Sequence, residues 1–400
     1  MKSAITLLIL TFLSAHLDAT TPNAFCHYPV VDLVGTSETN SPSSNNAINS
    51  YDRLPCSGNQ SNPELSRVTQ LLFNEQVQIL EESDHEVKVK IFHWYHQIGN
   101  PAQKVDTYFA PKKHFTYFKN ISPDDKIHLP IPVSFLNHWI PQNNTITLID
   151  SYYDKKSHTM YSAGTRFIKE EKQPKDTTII VHRYDAQLKK TTSLALPKDI
   201  CTTTAPTTND QKRETFVATL KQWAYRSEGI IPYVLGGASV GFDHSDDENI
   251  KVKKSKNKTL YYRFKNKKRP YYGLDCAHMI ARAAQIANIP LFVKNTTTLR
   301  ATYPTLKEHE SIENGDIIVW RGHTVVISDT EKGLIIEARG YDHGYGKVQE
   351  IQLSEQFKGI KTIDQLRDAY FSKRKIIRLN KAGDHAQIID DLIIIKLPVD

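Results

Sequence analysis

The chain has 400 residues, of which 39% are hydrophobic and 24% are charged, and its formal net charge is +7. This length predicts two to four domains, and the composition is that of globular domains with hydrophobic cores, which excludes a disordered or fibrous chain. A moderate positive charge on a chain that we expect to be exported argues against nucleic acid as a partner.

Residues 1–19 have the pattern of a secretory signal peptide. Lys2 precedes an apolar run, Ile5–Leu13, and small residues follow up to Ala19. The run is shorter than the roughly 20 residues that a transmembrane helix needs, and no later segment approaches that length. We therefore expect an exported protein, periplasmic or secreted, without a transmembrane segment.

The first predicted domain, residues 20–125, begins with a polar segment and continues with strands. The range Pro22–Pro63 is rich in Ser, Asn and Pro and predicts mostly loop. From Ser66, short β-branched runs alternate apolar and polar positions and are interrupted at Asn74 and at residues 82–85. This pattern predicts three strands joined by two turns.

A second β-rich domain is predicted at residues 126–200. Its runs TITLIDSYY, which starts at Thr145, MYSAGTRFIKE and TTIIVHRYD predict strands with turns between them. The segment CTTTAPTTND, residues 201–210, is rich in Thr and poor in apolar residues, which is typical of a linker.

Residues 211–380 combine helices with a run of strands, and residues 381–400 form a tail. The segment 211–229 predicts a helix with Phe216, Leu220 and Trp223 on one face. Later apolar runs predict strands that begin at Asp316, His323, Gly333, Lys347 and Lys375. Helices followed by an antiparallel sheet indicate an α+β domain.

The chain has four cysteines, which would meet an oxidising environment after export. Cys26 and Cys56 share the first domain and are the best candidates for a disulfide, which typically contributes ~3 kcal/mol to stability. Their spacing alone does not prove the pairing. Neither a CxxC pair nor an HExxH motif occurs in the sequence, so we expect no metal site and no cofactor.

Cys276 stands at the start of a predicted helix, in the sequence GLDCAHMIARAAQIANIP. Asp275 is a favourable N-cap residue, and Met279, Ile280 and Ala283 belong to an apolar stripe at helical spacing. The unpaired N–H groups and the dipole of a helix N-terminus favour a thiolate there. On these residues alone two other interpretations stay open, a small buried apolar residue and half of a disulfide.

A cysteine nucleophile needs a base, and His323 is the best candidate. His278 is two residues from Cys276 and faces another side of the helix. His323 opens a strand and Glu337 ends the next one, so antiparallel pairing brings the two together. The carboxylate would accept the Nδ1 proton and favour the imidazolium. A cysteine at a helix start, followed by a histidine on one strand and an acid on the next, is a specific pattern.

Four motifs in series resemble the NlpC family of cysteine peptidases, which cut the peptides of bacterial cell walls. They are PYVLGGAS at 232–239, GLDCA at 273–277, ENGDIIVW at 313–320 and GHTVVIS at 322–328, in the family's order. The resemblance implies a papain-like domain with Cys276 as nucleophile, His323 as base and Glu337 in the orienting position. The substrate-binding residues that it implies are Tyr233, Gly237, Asp275 and Ala277.

The β-rich blocks resemble bacterial SH3-like domains, and two such domains before the catalytic domain are typical of one subgroup. The fold class that we expect is therefore multidomain: two small all-β SH3-like barrels followed by an α+β papain-like domain. Members of the subgroup cleave peptidoglycan stem peptides between γ-D-glutamate and a diamino acid, usually beside a free N-terminal L-alanine, whose amine Asp275 would bind. The resemblance covers roughly residues 60–380.

Two departures from the family bear on this expectation. Ala277 replaces a serine that often helps to hold the substrate amine, which weakens the inference that a free L-alanine is recognised. Glu337 replaces the usual His, Asn or Gln, and its charge would raise the pKa of His323 while placing a second anion near the thiolate. A degenerate peptidoglycan-binding protein and a thiol amidase or acyltransferase therefore stay open as alternatives to a peptidase.

A long insertion separates the first two motifs. Its segment GFDH at residues 241–244 lacks a following apolar helix, so we interpret it as unrelated to the nucleophile motif. Its basic stretch, residues 251–269, is typical of a solvated loop. The alternative is an electropositive flap near the active site that attracts an anionic cell-wall polymer or peptide carboxylates.

Overall fold

Three antiparallel sheets of five or seven strands organise the part of the chain that the computed structural model describes. Smaller two-stranded hairpins accompany them. The described residues are 21–35, 37, 67–98, 103–131, 144–174, 177–202, 204–226, 230–241, 250–254, 260–264, 272–340 and 343–399. The predicted signal peptide, residues 1–19, lies outside these ranges.

The first sheet is built from the N-terminal strands. These are β1 (Ala24–Cys26), β2 (Val30–Val34), β3 (Arg67–Leu72), β4 (Gln76–Glu82), β5 (Glu86–Ile91), β6 (His96–Ile98), β7 (Gln103–Val105), β8 (Thr107–Pro111) and β9 (Phe115–Tyr117). The sheet has the order β3-β2-β8-β5-β4-β1-β9, while β6 and β7 form a separate hairpin. The three predicted strands are confirmed as β3, β4 and β5. A short helix, α1 (Pro123–Lys126), follows.

Strands β1 and β2 correct the prediction that residues 22–63 are mostly loop. Every residue of both strands is buried. β1 pairs with β4 and β9, and β2 pairs with β3 and β8. A strand covered on both faces lacks the alternation of apolar and polar residues, so the run VVDLV carries no periodic signal in the sequence.

Cys26 is a buried free thiol, in contrast to the disulfide predicted for it. Its Sγ donates a hydrogen bond to the carbonyl oxygen of Tyr28 at 3.1 Å. The predicted partner, Cys56, lies outside the described residues. Complete burial accounts for a cysteine at position 26, because a free cysteine behaves as a small hydrophobic residue.

The second sheet follows in the chain. Its region contains β10 (Thr145–Leu148), β11 (Tyr152–Asp154), β12 (Thr159–Tyr161), β13 (Arg166–Lys169), β14 (Thr178–Asp185), β15 (Lys190–Pro197) and β16 (Cys201–Thr202). The sheet has the order β15-β14-β13-β10-β16, and β11 and β12 form a hairpin. The segment predicted as a linker therefore contributes a strand, because Cys201 pairs with Leu148 and Thr202 with Thr147.

The C-terminal part has the predicted combination of helices and an antiparallel sheet. Its helices are α2 (Asn209–Ala224), α3 (Cys276–Ile286), α4 (Thr296–Thr302), α5 (Leu353–Gln356) and α6 (Ile363–Phe371). Its strands are β17 (Ala238–Ser239), β18 (Ile250–Lys254), β19 (Leu260–Phe264), β20 (Gly273–Leu274), β21 (Ile317–Trp320), β22 (His323–Asp329), β23 (Leu334–Arg339), β24 (Lys347–Gln352), β25 (Ile376–Leu379), β26 (His385–Ile389) and β27 (Ile393–Ile395). Among the described helices, none is long and apolar enough to cross a bilayer.

The main C-terminal sheet has the order β24-β23-β22-β21-β27, so the tail supplies an edge strand next to β21. The basic stretch predicted as a loop contains the hairpin β18–β19, which pairs from Ile250 and Phe264 to Lys254 and Leu260. β-Branched and aromatic residues between the lysines favour strands.

Helix α3 is buried on every side. Its residues Met279, Ile280 and Ala283 share the largest hydrophobic core with α2 and with the C-terminal sheet. The partners in that core include Phe216, Leu220, Val326 and Ile336. This packing fixes the N-terminal end of α3 beside the sheet, and that end carries Cys276.

The first sheet also holds α3. Arg282 of the helix forms a buried ion pair with Glu75, and its guanidinium lies 4.3 Å from the centroid of the Trp94 ring. The hydroxyl of Thr69 on β3 lies 2.9 Å from Nε2 of His278. Polar and stacking contacts therefore join the N-terminal sheet to the helix that begins at Cys276.

Candidate active site

Cys276 occupies the first position of α3, as the sequence predicted. Asp275 is the N-cap residue, and its Oδ1 accepts a hydrogen bond from the backbone N–H of His278 at 2.8 Å. The Cys276 thiol is free and the residue is 7% exposed. The backbone of Thr324, the second residue of β22, lies close enough to the thiol to lower its pKa. A free thiol removes the disulfide interpretation, and the contact brings Cys276 to the strand that carries His323.

The second oxygen of Asp275 is also occupied. Oδ2 accepts hydrogen bonds from the backbone N–H of Gly236 at 3.0 Å and from Nδ1 of His278 at 2.8 Å. Nε2 of His278 then accepts the hydroxyl proton of Thr69. His278 is thus a structural partner of Asp275, and the Asp275 carboxylate is bound within the protein at both oxygens.

His323 and Glu337 meet as the sequence predicted, although through the other ring nitrogen. Nε2 of His323 donates a hydrogen bond to Oε2 of Glu337 at 3.1 Å, so the prediction that Nδ1 makes this contact is wrong. The register that pairs Val326 with Ile336 places Glu337 beside Val325, two residues along the strand from His323. The more distant ring nitrogen spans that diagonal, which leaves Nδ1 as the unprotonated nitrogen of the neutral ring.

Glu337 is completely buried and has further polar neighbours. Its Oε1 accepts a hydrogen bond from Nε2 of Gln349 at 3.0 Å, and Nη1 of Arg339 lies 3.9 Å away. Burial alone raises the pKa of Glu337, but the hydrogen bond from His323 and the charge of Arg339 outweigh it and lower the pKa to about 2. The carboxylate is therefore ionised at neutral pH.

Cys276 and His323 are both neutral at rest. Burial, with the nearby charge of Asp275, raises the pKa of the Cys276 thiol to about 12. Burial, with the nearby charge of Arg378, lowers the pKa of His323 to about 4, although Glu337 acts in the opposite direction. Within the described part of the chain, no hydrogen bond joins the thiol to His323. The resting state is a thiol and an imidazole rather than an ion pair.

Tyr233 lies close to the nucleophile. Its backbone N–H donates to Gly346 at 2.9 Å, and its backbone bridges to Leu274. Burial raises the pKa of the Tyr233 hydroxyl, and the charge of Asp275, with that of Cys276 when it is a thiolate, raises it further. The phenol is therefore a neutral donor among the groups of the site.

Gly237 and Ala277, the other predicted substrate-binding residues, are buried on either side of the N-cap of α3. A Cβ atom at Gly237 would lie 2.5 Å from the carbonyl oxygen of Gly273, so only glycine fits there. The Gly237 carbonyl accepts the backbone N–H of Asp275 at 3.0 Å. Ala277 is 4% exposed. The close approach at Gly237 positions the N-cap that precedes Cys276.

Arg378 and Trp320 also belong to this site, and the sequence analysis missed their part in it. The guanidinium carbon of Arg378 lies 5.1 Å from the centroid of the Trp320 ring, and that ring lies 5.1 Å from the ring of His323. The run containing Arg378 carries only a strand signal. No local pattern links residue 378 to Cys276, because the chain reaches the site through a later hairpin.

A solved structure shares the fold of this chain. Neither the family models nor the curated proteins compared with the sequence give a match. The structure is similar to an NlpC/P60 family protein from Bacillus cereus ATCC 10987, with a TM-score of 0.53 and 12% identity over 94% of this chain and 99% of the other. NlpC2 from Trichomonas vaginalis has a TM-score of 0.32 and 10% identity over 84% of this chain and 95% of the other. The chain has the fold of the Bacillus NlpC/P60 protein.

Proposed function

We propose that this protein is an exported cysteine peptidase that hydrolyses peptidoglycan stem peptides at the bond between γ-D-glutamate and a diamino acid. Cys276 is the nucleophile, His323 the base and Glu337 the orienting residue. The observation that carries the proposal is a free cysteine at a buried helix start, beside the strand whose first residue is a histidine bound to a carboxylate. Similarity to an NlpC/P60 fold supports the substrate class.

The proposed reaction is a two-step acyl transfer. Because thiol and imidazole are neutral at rest, His323 takes the thiol proton at Nδ1 as Sγ of Cys276 attacks the γ-glutamyl carbonyl. The backbone N–H of Cys276, at the helix N-terminus, stabilises the oxyanion. His323 then protonates the departing amine as the C–N bond breaks, which leaves a thioester. A water molecule that gives its proton to His323 hydrolyses this thioester and releases the thiol.

The N-terminal regions fit accessory roles in this proposal. We assign the first two sheets to the SH3-like domains, and the contact between Thr69 and His278 supports a first domain that borders the substrate cleft. The basic stretch at residues 251–269 is assigned to an anionic cell-wall polymer or to peptide carboxylates, which its lysines would attract at long range.

A second candidate function is peptidoglycan binding without catalysis. The observation that favours it is the burial of Cys276, which raises the pKa of its thiol to about 12 and keeps it protonated at neutral pH. In a binding protein Cys276 would be a buried packing residue. Its substitution by alanine would then leave peptide binding intact and remove no activity.

Peptide cleavage by purified protein separates these candidates. Wild type, Cys276→Ala and His323→Asn are incubated with L-Ala-γ-D-Glu-diaminopimelate, and products are identified by mass; Cys201→Ala, which removes a free thiol from the second sheet, is the matched control. Release of L-Ala-γ-D-Glu by wild type and the control alone supports the peptidase. Binding without cleavage supports the second candidate. Capture of an added amine in place of water would identify an acyltransferase.

A further inference from the structure

Arg378 brings a positive charge to the nucleophile from the C-terminal part of the chain. Its strand β25 pairs with β26, and its backbone also bridges to Phe357. The guanidinium stands over Trp320, the indole that contacts His323. Its charge acts on Cys276, Tyr233 and Glu337 as well. Arg378 therefore lies next to the candidate active site, through Trp320 and His323.

The two arginines at this end of the sheet differ in their partners. Arg339 donates from Nη1 to Gln356 at 2.9 Å and from Nη2 to the carbonyl oxygen of Leu379 at 2.7 Å. Across the described residues, the guanidinium of Arg378 has neither a hydrogen bond nor a carboxylate within 4.0 Å. Its Nε is buried without an acceptor, as is Nε of Arg339. A buried donor without an acceptor is costly. Arg339 is thus engaged by the fold, whereas Arg378 retains its capacity for a carboxylate.

We propose that Arg378 binds a carboxylate of the substrate next to the scissile bond. The inference rests on the proposed function and names the acyl donor more closely, because a glutamate linked through its γ-carbonyl keeps a free α-carboxylate. A guanidinium binds such a group through two parallel N–H donors, and stacking on Trp320 restricts its orientation. The substrate class is therefore an acyl donor that carries a carboxylate at the other end of the short carbon chain from the reacting carbonyl.

Alkylation of Cys276 tests the anion site without any peptide substrate. Iodoacetate and iodoacetamide are each reacted with the full chain at pH 9, and modification of Cys276 is followed by peptide mass. Both reagents need the thiolate, so the ratio of their rates reports the charge near Sγ. We expect Arg378→Gln to lower the ratio of iodoacetate to iodoacetamide roughly tenfold, Arg378→Lys to lower it less, and Arg374→Gln, the exposed neighbour, to leave it unchanged. An unchanged ratio in Arg378→Gln overturns the anion site.

A matched pair of peptides tests the carboxylate itself. L-Ala-γ-D-Glu-diaminopimelate is compared with the version whose D-glutamate α-carboxylate is an amide. We expect the wild type to prefer the carboxylate about tenfold in kcat/KM and Arg378→Gln to cleave both alike. Equal preference in wild type and variant overturns the inference even if cleavage itself confirms the peptidase. Conversely, a changed alkylation ratio without any cleavage would keep the anion site and remove the peptidase.

Discussion

Glu337 fixes His323 through the hydrogen bond from Nε2 to Oε2 at 3.1 Å, and both residues are buried. The carboxylate raises the pKa of the imidazole, while burial and Arg378 lower it. The balance gives a base that is neutral over most of the pH range, with its Nε2 held by Glu337. The negative charge at position 337 therefore does not produce a resting imidazolium.

Replacement of Glu337 by glutamine is expected to lower kcat/KM on the order of 10²-fold, within the range that general base catalysis contributes. In the pH profile of wild-type kcat/KM, the fall on the acid side should lie near pH 4, where His323 gains its proton. Because Glu337 raises the pKa of His323, the glutamine variant should move this acid limb to lower pH. Profiles between pH 3 and 8 measure both effects, with exposed Glu331→Gln as the control. A limb that moves upward contradicts this account.

The neutral thiol gives a second prediction. Because burial raises the pKa of Cys276 to about 12, its alkylation by iodoacetamide should increase about tenfold per pH unit between pH 7 and 10, since only the thiolate reacts. A cysteine in a preformed ion pair would instead reach a plateau near neutral pH. Peptide mass analysis isolates Cys276 from the other thiols. A plateau below pH 8 would show that the resting pair is charged.

Sequence patterns predicted the elements whose signals are local. The apolar stripe and N-cap of α3 predicted the position of Cys276, and antiparallel pairing across a short turn predicted that Glu337 meets His323. Strands β1 and β2 were missed because both of their faces are buried. Arg378 was missed because its neighbours come from distant parts of the chain.

The roles of single atoms also depend on packing that a sequence does not display. The sequence predicted that Nδ1 of His323 contacts Glu337, whereas the diagonal register brings Nε2 there. It also predicted Asp275 as a receptor for an amine. That role stays a prediction, and the structure adds that His278 and Gly236 donate hydrogen bonds to the same carboxylate.

The hydrogen bonding of the Asp275 carboxylate predicts whether the enzyme distinguishes a free peptide N-terminus from an acetylated one. Both oxygens of Asp275 accept hydrogen bonds from the protein, and Ala277 supplies no hydroxyl group. We therefore expect L-Ala-γ-D-Glu-diaminopimelate and its N-acetylated form to be cleaved with kcat/KM values within about threefold, less than one charge-assisted hydrogen bond would give. Competition between the two peptides in one reaction measures the ratio. A preference above about tenfold for the free amine would restore the amine-binding role of Asp275.

The ion pair between Glu75 and Arg282 predicts how strongly the N-terminal sheet and α3 depend on each other. Arg282 is fully buried and Glu75 nearly so, and removal of one partner from a buried pair typically costs about 3–5 kcal/mol. Glu75→Gln should lower the free energy of unfolding by about that amount in urea at pH 7, while Glu81→Gln, which breaks an exposed pair with Lys88, should cost less than ~1 kcal/mol.

The same ion pair predicts a pH dependence. Burial raises the pKa of Glu75, but the charge of Arg282 and the other partners of Glu75 lower it by more, so the net shift is downward. The stabilisation is therefore present above the ordinary carboxyl pKa and lost as the pH falls below it, and the difference between wild type and Glu75→Gln should shrink toward pH 3. A difference that does not change with pH would mean that packing, and not charge, joins the first sheet to the helix of Cys276.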